Sequence, residues 1–429
     1  VKTRLLLILI TLFCMTALVP LTDAHAAKSA QAPITREQFL TMIVKALDIP
    51  NEPINEEIPP LELILQIAKD NGLYQNDYAK AWPQPITRGE MAITLERATH
   101  KASYEAQVGQ IRNLNQPNTE KKLVELKRVY DQMQTKQRIF ETVRRGLLSG
   151  IGNGQLGLES TVSFESAAAV IERVLAFNKG TVLKGDKRAM AAAEVYWHST
   201  NLFTAWSDYL GIEHAAKFDE SMLYYESADF KGSITGLYII DADDPNDPFR
   251  NKIPFSLKEL FRFQGTHAFP LTSLRDAYII VFTQTDNQLN NPKSKYPVRV
   301  QLGINGIGVS LTTHLQIPKS IREAEQKRLS QGALDFMQSV EHKAVTKEQK
   351  EISTHHVNGI QLDNSLKNYI GVYVIPKSNV KADGELRITV RPIINRNVKI
   401  NEVLRVRPSG IANLSPDSVT GLYSIKTLK

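Results

Sequence analysis

An internal repeat constrains this chain more than any other feature. Three segments align without gaps: Ile34-Thr35-Arg36-Glu37-Gln38-Phe39, Ile86-Thr87-Arg88-Gly89-Glu90-Met91 and Val162-Ser163-Phe164-Glu165-Ser166-Ala167. The match continues along each segment, with Ile43, Leu95 and Ile171 equivalent, then Lys45, Arg97 and Arg173. A recurring unit of this kind is stable by packing on its own copies, so the repeat outranks any single motif. Thr35 and Thr87 have the chemistry of helix N-caps, whose hydroxyls accept from a free backbone N–H. Three residues later Gln38 and Glu90 can reach back to complete a capping box. The apolar residue before each cap (Ile34, Ile86) can staple onto Phe39 or Met91. Between the capped helices, Leu61 to Ala68 forms an apolar-rich helix stopped at Asn71-Gly72, and the stretch from Phe140 to Leu148 repeats that design around Gly146. The unit is therefore helix, glycine stop, loop, capped helix.

Cap chemistry does not explain the arginine at the first helical position of two copies. Arg36 and Arg88 face the positive end of the helix dipole, a placement costing roughly 0.3–1 kcal/mol unless something compensates. Two readings stand side by side. Free N–H groups and a guanidinium pointing one way make a receptor for an anion, especially a carboxylate held by two hydrogen bonds. Alternatively, each arginine pairs with a neighbouring carboxylate of the fold.

These residues resemble the S-layer homology family, whose repeats begin with an Ile-Thr-Arg-Ala-Glu-Phe helix start after a glycine turn and an apolar-Pro loop. The corresponding pieces are Ile34-Thr35-Arg36, Gly72-Leu73-Tyr74 with Trp82-Pro83, Ile86-Thr87-Arg88-Gly89-Glu90, and Gly146-Leu147-Leu148-Ser149-Gly150. The resemblance implies an all-α helical bundle over 27–180 that anchors the protein non-covalently to an anionic, often pyruvylated, secondary cell-wall polysaccharide. It implies that Thr35, Arg36, Trp82, Thr87, Arg88 and Glu90 bind the polymer. There are departures: Gln38 stands where the family has glutamate, Gly89 where it has alanine, and Ser163-Phe164 where it has Thr-Arg. The third copy is therefore expected to pack rather than bind. Extra length in 99–138 carries a charged helix after Pro117-Asn118, with Leu123, Leu126, Tyr130 and Met133 at helical spacing. That stripe reads as packing rather than a dimer seam.

Residues 1–26 read as a cleaved secretory signal. Lys2 and Arg4 precede an apolar run that Pro20 breaks before Ala24-His25-Ala26, and the run is short for a membrane span. The chain's one cysteine, Cys14, lies within it, where Phe13 argues against lipid modification. A mature chain from Ala27 then has no disulfide, thiolate nucleophile or thiolate metal site. With 52 Lys+Arg against 45 Asp+Glu the net charge is +7, too little to argue for a nucleic-acid partner. Residues 27–180 hold 19 Lys+Arg and 18 Asp+Glu, so any polymer recognition there rests on placed residues, not bulk charge.

Residues 181–429 read as an α+β, mainly β module. A helix is expected from Asp186 to about Leu210 and another from about Glu213 to Tyr225, followed by strands at 232–240, 276–284, 296–317, 368–376, 385–394, 402–407 and 420–427. A capping box at Ser320 to Glu323 starts one more helix. Candidates for chemistry are sparse. Asp241, Asp243, Asp244 and Asp247 alternate oxygens as a calcium loop does, but Asn246 and Lys252 stand where an EF-hand has glycine and glutamate, and the prolines favour a plain turn. Glu194 and His198 share a helix face near His214 without zinc-protease spacing. His355-His356 reads as loop. No cofactor is expected. The expected protein is a secreted, non-enzymatic surface protein of the cell wall that displays its β-rich module. The alternative is a wall-active hydrolase, since paired catalytic carboxylates leave no sequence signature.

Overall fold

The computed structural model describes residues 32–49, 60–77, 81–114, 118–219, 223–226, 230–253, 261–263, 267–269, 275–289, 298–304, 307–308, 360–361, 369–377, 380, 386–392, 401–407, 410–416 and 423–427. The expected signal segment, the helix starting at Ser320 and the His355-His356 pair lie outside these residues. The chain divides into one unit of Val1–Ser149 with Gly157–Asp186 and a second of Gly150–Leu156 with Lys187–Lys429.

The described part of the first unit is helical. Its helices are α1 (Arg36–Ala46), α2 (Pro60–Asp70), α3 (Arg88–Asn113), α4 (Thr119–Asp131), α5 (Thr135–Arg144) and α6 (Phe164–Asn178). The helices α1, α3 and α6 start at the three repeated segments. Thr35 and Thr87 each cap their helix in a full capping box, and the Ser163 hydroxyl accepts from Ser166 N. The glycine stops after α2 and α5 are equivalent. Gly72 and Gly146 have φ of 71° and 72°. At each stop the glycine N–H returns to the carbonyl three residues back and the following leucine N–H to the one five residues back, satisfying two otherwise orphaned carbonyls. Leu73 and Leu147 then turn inward and are buried.

The three helix starts are tied into a ring by their backbones. Ile34 N donates to Val162 O (2.8 Å), Val162 N to Ile86 O (3.2 Å), and Ile86 N to Ile34 O (2.9 Å). All three side chains are buried, so each bond forms away from competing water. The core around this hub is apolar: Phe39, Leu40, Ile43, Met91, Leu95, Phe140 and Val174 are fully buried.

One charged cluster sits among these helices. The buried Glu96 of α3 accepts from Arg138 of α5, from Arg145 just after it (3.2 Å), and contacts His100 Nδ1 (3.0 Å). Burial alone would raise the Glu96 pKa, but the His100 hydrogen bond and the two guanidinium charges hold it at about 2. The insert is a helical hairpin. On α4, Tyr130 and Met133 just beyond it are buried while Leu123 and Leu126 are half-buried. Tyr130 Oη bonds Ser103 (2.7 Å) and Gln107 (2.6 Å) of α3, so the apolar stripe packs on its own chain.

The second unit opens with α7 (Lys187–His198), α8 (Leu202–Ala205) and α9 (Ser207–Leu210), followed by a 3₁₀ helix over Ile212–Lys217. The single helix expected to Leu210 is thus broken. Ser199 takes φ 56°, and Thr200 then bridges Leu237. The helix expected from Glu213 to Tyr225 is also absent: after the 3₁₀ turn, Tyr224–Glu226 is strand β1.

Strands β2 (Phe230–Asp241), β3 (Phe261–Phe263), β4 (His267–Phe269), β5 (Ala277–Leu289), β6 (Val298–Ile304), β7 (Ile307–Gly308), β8 (Ile360–Gln361), β9 (Tyr369–Pro376), β10 (Leu386–Pro392), β11 (Asn401–Arg407), β12 (Gly410–Pro416) and β13 (Tyr423–Thr427) follow. They form a five-stranded sheet in the order β1-β2-β5-β9-β8, a six-stranded sheet β13-β12-β11-β10-β6-β7, and the hairpin β3-β4. Consecutive residues Ile279 to Phe282 of β5 are fully buried, as expected for a central strand covered on both faces. The open edge of β2 is closed by Asn201. Its amide donates to Ile239 O (2.7 Å) and accepts from Ile239 N (2.7 Å), imitating a neighbouring strand.

Candidate functional site

The hydrogen-bond ring sets the register of the repeated face. Arg36 N donates to Gln84 O, Arg88 N to Ser160 O, and Phe164 N to Ala32 O. Glu37 N and Gly89 N likewise donate to Trp82 O (3.3 Å) and Leu158 O (2.9 Å). The first two N–H groups of α1 and α3 are therefore spent on neighbouring loops, and the cap hydroxyls take the third. The free helix N-terminus of an anion receptor is absent from α1 and α3, because the loop leading into the following copy supplies the acceptors that each helix lacks. Gly89 also finds its reason here. A Cβ at that position would lie 3.3 Å from Leu158 O, and the shorter of the two N–H···O distances occurs where the side chain is missing.

Arg36 is turned inward, with its residue only 8% exposed. Its Nη2 donates to Glu90 Oε1 at 2.8 Å and its Nε lies 3.1 and 3.2 Å from the two Glu90 oxygens. Nη1 donates to Ala81 O at 3.1 Å. Glu90 Oε2 at the same time accepts from Thr87 N (3.0 Å). One carboxylate thus closes a capping box and clamps the adjacent repeat. Thr35, Arg36, Thr87 and Glu90, expected to line a sugar groove, are engaged with one another or with their own helix starts. The charge pairing left open by the sequence is satisfied internally at Arg36, because Glu90 is delivered to it by the ring.

Arg88 is half-buried. Its Nη2 donates to Ser149 O at 2.6 Å, and burial lowers its pKa from the ordinary arginine value. Trp82 is also half-buried and packs edge-on against Tyr74, with ring centroids 5.3 Å apart. In the third copy Ala167, Val170, Ile171 and Val174 are buried, while Phe164 at the helix start is 48% exposed.

In the second unit, Asp241, Asp244 and Asp247 line a cavity of about 290 Å³ with Asn201, Arg188 and Tyr278. Each carboxylate is already engaged. Lys377 Nζ lies 2.7 Å from both Asp241 and Asp243, Arg188 grips Asp244 (2.8 and 3.1 Å), and Asp247 accepts from Asp241 N and Phe249 N. These are turn-forming and ion-paired acids. Glu194 is fully buried and accepts from Phe203 N (2.9 Å) and Thr204 N (2.6 Å), while His198 Nε2 is 2.8 Å from Ala215 O. Burial raises the Glu194 pKa to about 8 against the opposing pull of those N–H bonds. Among the described residues no cluster of three or more His, Cys, Asp or Glu side chains is arranged to hold a metal. Among them, too, no helix is long and apolar enough to cross a membrane.

No family model, no curated protein and no solved structure matches this chain.

Proposed function

We propose that this is a secreted surface protein whose residues 27–180 hold it non-covalently on an anionic secondary cell-wall polysaccharide, in the manner of S-layer homology repeats, while 181–429 is a displayed module. One observation carries the reading: the three Ile/Val-Thr/Ser helix starts close on one another through Ile34, Ile86 and Val162. This brings the first-turn side chains of all three copies around one hub, as a surface for a repeating polymer requires. Arg88 is the cation offered to the polymer's carboxylate and Trp82 the flanking ring. Thr35, Arg36, Thr87 and Glu90 form the frame that positions them.

The test is sedimentation of the whole protein with purified cell wall, native and stripped of its secondary polysaccharide. The expected result is retention on native wall only, reduced at least about tenfold by Arg88→Ala when folding is unchanged by circular dichroism. Equal retention of the variant would remove Arg88 from the role, and equal binding to stripped wall would remove the polymer.

A second reading, a wall-active hydrolase, is favoured by the three aspartates at one cavity. Their engagement by Lys377, Arg188 and backbone N–H groups weighs against it. Release of soluble fragments from wall glycans by the whole protein decides between them.

A further inference from the structure

We infer that one face of the six-stranded sheet, across β6, β10 and β11, binds an acidic polysaccharide whose charged sugars are separated by neutral ones; this is independent of the helical repeats. The strand register carries the argument. Val300, Leu302 and Ile304 of β6 stand opposite Val390, Ile388 and Leu386 of β10, and the last two stand opposite Leu404 and Val406 of β11. Successive positions of a strand alternate between the two faces of its sheet, so these residues make one face apolar. Among the described residues of the three strands, every charged one falls on the other face: Arg299, Arg387, Arg391, Glu402, Arg405 and Arg407.

Arg391 is directly opposite Arg299, and Arg387 is directly opposite Arg405. Cβ atoms at such positions are about 5 Å apart, and like charges there are destabilising. Solubility alone does not call for that arrangement. Nor does protection against edge pairing, since β11, β10 and β6 each have a strand on both sides, and charges that guard a sheet belong on its edges. A bound polyanion removes the repulsion, and arginine grips a carboxylate or phosphate with two parallel hydrogen bonds.

The positions form a stripe rather than a disc. Arg299 and Arg391 mark one end, and Arg387, Arg405 and Arg407 the other, four residues or about 13 Å along β10. An extended chain fits that outline better than a bilayer surface does. Between the two groups lie Gln301, Thr389 and Glu402, in register across the three strands. Glu402 disfavours a nucleic acid, whose phosphates follow at every nucleotide. Among the described residues of this face on the three strands there is also no aromatic residue on which a base would stack. A neutral sugar at that point finds an amide, a hydroxyl and a carboxylate, residue types that hydrogen-bond its hydroxyls.

The experiment uses the whole protein with hyaluronan, in which acidic and neutral sugars alternate, beside dextran, oligo-dT and phosphatidylglycerol vesicles. Wild type is expected to bind hyaluronan more weakly as salt rises, dextran not at all, and oligo-dT and vesicles at least about tenfold less tightly than hyaluronan. Arg387→Gln/Arg391→Gln is expected to lose at least about tenfold in affinity while melting no lower than wild type, because two like-charge oppositions are gone. Lys121→Gln/Lys127→Gln, which removes the same charge from exposed positions of α4, is expected to bind as wild type does. Absence of hyaluronan binding, or wild-type affinity in the arginine variant, overturns the inference. An equal loss in the lysine variant also overturns it, by assigning the binding to bulk charge. Oligo-dT or vesicles bound as tightly as hyaluronan overturn it in favour of a nucleic acid or a membrane. Should the double variant not fold, Arg405→Gln takes its place, and hyaluronan but not dextran must raise the wild-type melting temperature. The anchoring reading stands or falls separately, on Arg88.

Discussion

Arg36 and Glu90 stand 54 positions apart and meet at 2.8 Å, closing the first repeat onto the second through a carboxylate that also caps its own helix. The pair lies mostly out of water, with side-chain exposures of 9% and 16%, so neither charge can lose its partner cheaply. Arg36→Ala is expected to cost on the order of 3 kcal/mol of stability. Replacing both residues by Met and Leu is expected to recover much of that loss, because the stranded charge is then absent. Urea unfolding of the single and double variants measures both. A single variant as stable as wild type would show that the clamp carries no weight.

Glu96 makes a pH-dependent prediction. Its pKa is depressed from 4.5 to about 2, so the stability it contributes is complete above pH 4.5 and disappears as pH falls toward about 2. Glu96→Gln is expected to lose roughly 3–5 kcal/mol near neutrality, since Arg138 and Arg145 stay buried without their carboxylate. Its acid limb should also be shallower than that of wild type. Parallel acid limbs in the two proteins would assign the acid sensitivity elsewhere.

The opposite sign holds at Glu194. Its folded pKa is raised from 4.5 to about 8, so its contribution is complete below pH 4.5 and declines as pH rises through about 8. Glu194→Gln is expected to flatten that decline. It should also cost about 1–3 kcal/mol, because an amide nitrogen replaces one oxygen facing the Phe203 and Thr204 N–H groups. Thermal melts of both proteins between pH 5 and 8 give the two slopes directly.

At the edge of β2, Asn201→Ala removes both hydrogen bonds to Ile239 and leaves a buried N–H and C=O unpaired. A loss of about 2–3 kcal/mol is expected, and Asn201→Asp should not restore it, since a carboxylate cannot donate to Ile239 O. Amide exchange at Ile239 is the local readout, and it should quicken in both variants.

The helix starts at Thr35, Thr87 and Ser163 were legible because capping is local chemistry, written within four residues of chain. The glycine stops at Gly72 and Gly146 were legible for the same reason. What each arginine meets was not, since Glu90 reaches Arg36 only after the ring has closed, and sequence spacing carries no trace of that. Phe164 is 48% exposed, and its position in the first turn of its helix sets it there. The break at Ser199 had a signal in Ser199-Thr200-Asn201, a polar triplet that interrupts the apolar periodicity. Its cause, the need of Ile239 for an edge partner, comes from residues 38 positions further on.

The bonds among Ile34, Ile86 and Val162 also impose arithmetic on any descendant of this chain. A directed cycle of three donors and three acceptors has no vacancy for another member, and deleting one member strands both a donor and an acceptor at the hub. Copy number at this hub is thus set by closure. New length has to enter at the far ends of the helices, where α3 and α4 already extend as a hairpin without disturbing the hub. Variation within the hub is then left to the side chains at fixed positions, and Arg36, Arg88 and Phe164 at the three first helical positions are that kind of variation.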